Sequence, residues 1–241
     1  MLWLHGRARQ QLWRCLILKK LLSIIIPTLN EQTIIVETLQ TLQPLREAGH
    51  EVIVVDGGSI DNTRTLAAPL ADSVLLSQSG RARQMNMGAR FAHHDILLFL
   101  HADTRLPKQA DTLIINSLSE RKWGRFNVRL SGRAWLLRVV ERFMNWRSCL
   151  IGIATGDQAI FVQRHLYTQV QGFPNIPLME DIALSRQLKK FSRPSCIQTP
   201  VVTSSRRWEQ NGILWTILLM WGLRLAYAIG VNPKTLKEFY D

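Results

Sequence analysis

The sequence predicts an α/β fold: a mostly parallel sheet flanked by helices, followed by a C-terminal helical appendage. Two patterns carry this expectation. Short apolar, β-branched runs alternate with helix-length stretches through the first half of the chain, the signature of strands and helices wound into a parallel sheet. Three of those runs also break abruptly into polar tips: Pro27-Thr28-Leu29-Asn30-Glu31, Asp56-Gly57-Gly58-Ser59 and His101-Ala102-Asp103. Open α/β sheets bind ligands beyond the carboxyl ends of their strands. Three polar tips therefore point to one shared site.

The elements follow in order. Residues 22–28 read as a strand and 31–48 as a helix ended by Gly49. Residues 51–56 form a second strand, and Asp61 or Asn62 caps the short helix after the Gly57-Gly58 turn. A third strand is expected over 72–77, a helix over 81–92 and a fourth strand over 96–100. Pro107 opens a helix to about Ser119, because proline suits a first turn. In the second half, 125–130 alternates charged and apolar residues like an edge strand. Residues 134–149 form a basic amphipathic helix, 159–162 a short strand and 181–190 a helix. The apolar stretch 213–231 approaches the roughly 20 residues a membrane span needs. Arg224 lies inside it, and an arginine there costs about 2.5 kcal/mol or more. A helix covering the core or lying in a membrane interface fits better than a span. No repeat or linker interrupts the chain, so the expected division is a basic extension over 1–20, one domain over 21–205 and the appendage over 206–241.

Of the 241 residues, 46% are hydrophobic, which supplies a sizeable core and excludes global disorder. The net charge of +12 points to an anionic partner: nucleic acid, an acidic membrane surface or a phosphorylated substrate. Cys15, Cys149 and Cys196 have no CxxC spacing. They read as free thiols in a reducing compartment rather than a disulfide framework or zinc site. The extension 1–20 is basic, but Lys19 and Lys20 cut its apolar stretch too short for a signal peptide.

Sugar transfer from a nucleoside diphosphate needs a nucleotide pocket, neutralisation of the leaving diphosphate, a base for the acceptor hydroxyl and an acceptor groove. Asp56 at a strand end can accept from a base or ribose, with glycines beside it for close approach; the same residues also make an ordinary turn. Thr28, Asn30 and Glu31 serve equally as helix-capping residues. Asp103 suits Mg²⁺ or Mn²⁺, which take one or two carboxylates plus phosphate oxygens and water. His101 lies two residues earlier, on the same face of an extended chain. Arg81 and Arg83 can add positive charge near phosphates. Glu180-Asp181 opens a helix, where acids also occur for dipole reasons alone, yet a carboxylate in a partly dry pocket is what a general base requires. Arg206-Arg207-Trp208 suits an anionic or ring-shaped acceptor.

Together these motifs resemble family 2 glycosyltransferases. The opening Ser23-Ile24-Ile25-Ile26-Pro27-Thr28-Leu29-Asn30-Glu31 is followed in order by Val55-Asp56-Gly57-Gly58-Ser59 with Asp61, Arg83-Gln84-Met85-Asn86-Met87-Gly88, His101-Ala102-Asp103 and Glu180-Asp181. A small bacterial subgroup is similar through Gly156-Asp157-Gln158-Ala159-Ile160-Phe161, Pro177-Leu178-Met179-Glu180-Asp181 and Ser204-Ser205-Arg206-Arg207-Trp208. The resemblance implies a GT-A fold and an inverting, metal-assisted transfer. It assigns Asp103 to the metal and Asp181, beside Glu180, to the base. Pro27, Thr28, Asn30, Glu31, Asp56, Arg83, His101 and Ala102 fall to the nucleotide sugar, and Arg206, Arg207 and Trp208 to the ligand groove. His101 departs from the pattern by replacing the usual first acid of the metal motif. Ser204 stands where processive enzymes carry glutamine, which argues against a polysaccharide-extruding synthase.

The expected partners are a nucleotide-sugar donor and a lipid-linked or membrane-proximal acceptor, with peripheral contact to an anionic membrane and a cytoplasmic location. A dinucleotide-binding oxidoreductase would need a GxGxxG turn after the first strand, which is missing. A nucleotidyltransferase would open with a glycine-rich, basic phosphate loop. A non-enzymatic lipid- or nucleic-acid-binding protein accounts for the arginines at 121–147. It leaves the ordered acids at the strand ends unexplained, so no nucleic acid is expected.

Overall fold

The computed structural model describes residues 20–240. The expected extension over 1–20, and with it Cys15, lies outside the described residues except for Lys20. One eight-stranded mixed sheet runs in the order β3-β2-β1-β4-β7-β6-β8-β5. Its strands are β1 (Leu22–Thr28), β2 (Glu51–Asp56), β3 (Ser73–Leu76), β4 (Ile96–Phe99), β5 (Thr104–Arg105), β6 (Trp123–Leu130), β7 (Phe161–Gln163) and β8 (Ser195–Thr203). The first four pair in parallel, and β7 enters antiparallel to both β4 and β6.

Successive side chains of a strand face opposite sides, and the core divides accordingly. Ile24, Ile26, Val52, Val54 and Leu98 pack beneath α1 (Ile35–Glu47), α4 (Ala110–Ser117) and α5 (Trp135–Ile151). Ile25, Ile53, Val55, Leu97 and Phe99 face the other way, toward α3 (Arg81–Phe91), α6 (Arg164–Gln169) and α7 (Glu180–Leu188). The α3 contact is close: a Cβ on Gly88 would stand 2.4 Å from Cγ2 of Ile25. The short α2 (Thr63–Ala67) follows the tip of β2.

Several expectations are corrected. The first helix starts at Ile35 rather than 31, because the Glu31 and Gln32 amides donate to the side chains of Thr63 and Asp61. Pro107 does not open α4. Gln109 adopts a left-handed φ of 58° and the helix begins after it, once β5 has drawn the chain across to β8. Nor is β6 an edge: it pairs with β7 and β8, and its Arg125 is buried with hydrogen bonds to Asn127 and the Asn145 carbonyl. A buried guanidinium bonded to its neighbours through Nη1 and Nη2 looks like a solvent-facing charge in sequence. The partner strand β8 escapes the pattern because Pro200 interrupts it, at a register irregularity that accommodates a residue without an amide. Cys149 and Cys196 are joined as a disulfide with Cα atoms 6.0 Å apart, not free thiols. They are 47 residues apart in sequence but adjacent where α5 passes β8.

The C-terminal segment forms α8 (Arg206–Gln210), α9 (Ile213–Ala228) and α10 (Pro233–Tyr240). Leu223 of α9 and Leu236 of α10 bury against Ile153, Leu178, Met179 and Ile182, at the start of α7. Only Thr216 and Leu223 of α9 are buried, so most of its apolar surface does not cover the core. No helix among the described residues is long and apolar enough to cross a membrane.

Candidate active site

A cavity of about 570 Å³ opens between the strand tips, the start of α7 and the C-terminal helices, a volume typical of small-molecule sites. Glu31, Arg81, His101, Asp103, Asp157, Glu180 and Asp181 line it, as do Arg206, Arg207 and Trp208. Residues distant in sequence are gathered because β1 and β4 end side by side and α7 begins above them.

The acidic pair is aimed by backbone geometry. Met179 adopts φ 67° immediately before α7, an uncommon conformation for a bulky residue. Both acids then occupy the first turn, where the helix dipole favours negative charge. Asp181 accepts from the Gly156 amide at 2.9 Å through Oδ2 and from the Ile182 amide at 2.7 Å through Oδ1. Glu180 is buried, and desolvation followed by the Asp181 charge pushes its carboxyl up to about 7, against the pull of Arg81. Desolvation alone would lower Arg81, but Tyr240, Glu180 and Asp181 outweigh it and hold the guanidinium charged.

His101 sits against Gly156. A Cβ on Gly156 would stand 2.5 Å from Nε2 of His101, so only glycine admits the ring there. Burial, with Arg81 nearby, lowers the imidazole to about 3, and it stays neutral at any physiological pH. Asp157 is raised by burial, against a hydrogen bond from Thr155.

Burial and then the charge of Asp103 raise Glu31, and both carboxylates line the cavity. No cluster of three or more His, Cys, Asp or Glu able to hold a metal occurs among the described residues. The donor set nevertheless fits a hard cation that arrives with phosphate oxygens and water, since such ions need only one or two protein carboxylates.

Other expected residues stand back from the cavity. Asp56 is fully buried and closed by its own turn: Oδ2 accepts from the Gly58 and Ser59 amides and Oδ1 from the Ser59 hydroxyl. Asn30, at φ 55°, ties the β1 tip to that turn through the Ser59 hydroxyl and the Ile60 amide. Pro27 and Thr28 belong to β1, with the Thr28 hydroxyl buried and unpartnered. Ala102 is buried, its carbonyl accepting from Thr38. Arg83 hydrogen-bonds to Asn175 and Gln78 outside the cavity, whereas Arg81 lines it. Tyr240, whose ring lies 3.6 Å beneath the Arg207 guanidinium, lines the cavity without forewarning in the motifs.

Residues 23–147 match the family model of Glycosyl transferase family 2. The poly-beta-1,6-N-acetyl-D-glucosamine synthase of Staphylococcus aureus is 26% identical over 91% of this chain. The chain spans 57% of that relative's length. Among solved structures, S. aureus TarS 1-349 in complex with UDP superposes with a TM-score of 0.64 at 18% identity, covering 76% of this chain and 60% of that one. The mannosyltransferase PcManGT from Pyrobaculum calidifontis, in complex with GDP-Man and Mn²⁺, gives 0.57 at 23% identity, covering 76% and 56%. These likenesses place the fold in the GT-A class.

Proposed function

The chain belongs to glycosyl transferase family 2, and from that premise we propose that it moves a sugar from a nucleoside diphosphate to an acceptor hydroxyl with inversion at the anomeric carbon. The observation that carries this reading is the sharing of one cavity by Asp103, Arg81 and Asp181. A cation-binding acid, a phosphate-binding cation and a base are the groups such a displacement requires.

Asp103, with Glu31 beside it, would hold Mg²⁺ or Mn²⁺; that ion, when bound, offsets charge on the departing diphosphate. Arg81 binds the same diphosphate from the start of α3. Asp181 takes the proton of the acceptor hydroxyl, whose oxygen bonds to the anomeric carbon as the bond to the diphosphate oxygen breaks. The Gly156 and Ile182 amides fix the carboxylate for that transfer. Glu180 shares the dry pocket and, raised toward neutrality, limits the negative charge beside the base. His101 is a neutral wall behind Gly156. Asp56 and Asn30 order the turn that borders the nucleotide cleft. The helices within 206–240 close the acceptor side through Arg206, Arg207 and Trp208.

Nucleotide binding tests the donor half directly. UDP or GDP with Mn²⁺ should raise the melting temperature of the protein, and Asp103→Ala should remove the metal-dependent part. No stabilisation by either nucleotide, with or without metal, would contradict the proposal.

A further inference from the structure

Arg147 of α5 and Arg224 of α9 line the same cavity but have no part in the transfer described above. Their helices meet where the rings of Phe143 and Trp221 approach to 5.4 Å. Nε and Nη2 of Arg147 and Nε of Arg224 are buried without any hydrogen-bond partner. Buried donors are nearly always satisfied, and a charged one left unmade is costly. Burial, and then the neighbouring Arg224 charge, lower Arg147 to about 10. Asp157 and Asp181 offset part of the Arg147 charge, and Asp157 also feels Arg224, but neither carboxylate hydrogen-bonds to these nitrogens, which lack an anion in contact.

The surroundings restrict what that anion belongs to. Next to the arginines the cavity wall is apolar, formed by Val139 and Phe143 of α5 and Ile217, Met220 and Trp221 of α9. Beyond it the same helices expose Trp135, Trp146, Trp215 and Leu218. Charge at one end and a greasy wall at the other match an amphipathic molecule rather than a nucleotide. The donor's diphosphate already has Arg81 and Asp103.

Resting on the transfer reading above, we infer that Arg147 and Arg224 hold a phosphate group of a lipid-linked acceptor, whose apolar body lies along α5 and α9 while its hydroxyl meets Asp181. Guanidinium forks suit phosphate oxygens.

Binding of dodecyl phosphate below its micelle concentration, followed by tryptophan fluorescence, tests this against dodecanol and inorganic phosphate. The wild type should bind dodecyl phosphate at least about tenfold more tightly than either. Arg147→Gln and Arg224→Gln should each lose about tenfold, and Arg147→Lys should lose less while keeping the wild-type melting temperature. UDP and GDP affinities of all variants should stay within about twofold of wild type, since no donor contact is removed. Equal binding of dodecanol, or unchanged affinity in both glutamine variants, would overturn the anion site. Inorganic phosphate binding as tightly as dodecyl phosphate would overturn the lipid body. A parallel loss of UDP and GDP binding in the variants would reassign the arginines to the donor and overturn the inference. Failure of the wild type to bind UDP or GDP would count against the transfer reading, while the anion site is judged by the alkyl phosphate alone.

Discussion

The Gly156 amide donates to Oδ2 of Asp181 at 2.9 Å while the His101 ring occupies the space where a Gly156 side chain would be. One glycine therefore links the tip of β4 to the start of α7. It explains how a histidine fits two residues before Asp103: the ring packs on backbone.

Gly156→Ala tests that link. The new Cβ would stand 2.5 Å from Nε2 of His101, and overpacking of this kind costs about 1–3 kcal/mol. The ring or the 156–158 turn must move, and Asp181 moves with it. Turnover should fall while the KM for the donor changes little. Steady-state kinetics with a fixed acceptor checks the split.

Glu180 gives the protein a pH signature. Its folded pKa is raised from the ordinary 4.5 to about 7. Between those values the folded state holds a proton that the unfolded state has released, so stability falls as pH rises through that window. Glu180→Gln should remove this slope. Melting temperatures of both proteins from pH 4 to 8 provide the measurement, and parallel curves would contradict the assignment.

Asp103→Ala should weaken nucleotide binding in Mn²⁺ by at least about tenfold, since even loss of a group supporting a metal ligand costs 10–100-fold. Binding measured in EDTA should hardly change. Isothermal titration with UDP or GDP under both conditions distinguishes metal loss from general damage.

Tyr240 ties the last helix to the site: its ring lies beneath Arg207, and its carbonyl accepts from the same guanidinium at 2.5 Å. A cation–π contact of this kind is worth about 0.5–2 kcal/mol. Tyr240→Ala should lower the melting temperature by about 2–4 °C per kcal/mol lost. Tyr240→Phe keeps the ring and should lose less.

Much of this arrangement is legible in the sequence, for reasons visible in particular residues. β1 and β2 were marked by apolar runs with polar ends, and both strands have the expected bounds. Asp103, Glu180 and Asp181 stand together because strand ends and helix starts share one rim of the sheet. Less local features escaped. Arg125 looked like an edge-strand charge because its partners, Asn127 and Asn145, are chosen by tertiary contact. Arg81 and Arg83 are two residues apart on one helix, and only packing decides that Arg81 lines the cavity. Asp56 accepts from the turn after it through both of its oxygens, a pairing that the sequence does not show. Arg147 and Arg224 gave no local signal, since they matter only once α5 and α9 are side by side.

The most direct measurement of the central claim is release of UDP or GDP from a panel of nucleotide sugars by wild type and Asp181→Asn. Wild type should release nucleotide in the presence of Mn²⁺ and acceptor lipid extract. The Asp181→Asn variant should bind nucleotide normally and turn over about 10²–10⁴-fold more slowly, as expected for loss of a general base. Full turnover by Asp181→Asn would contradict the account.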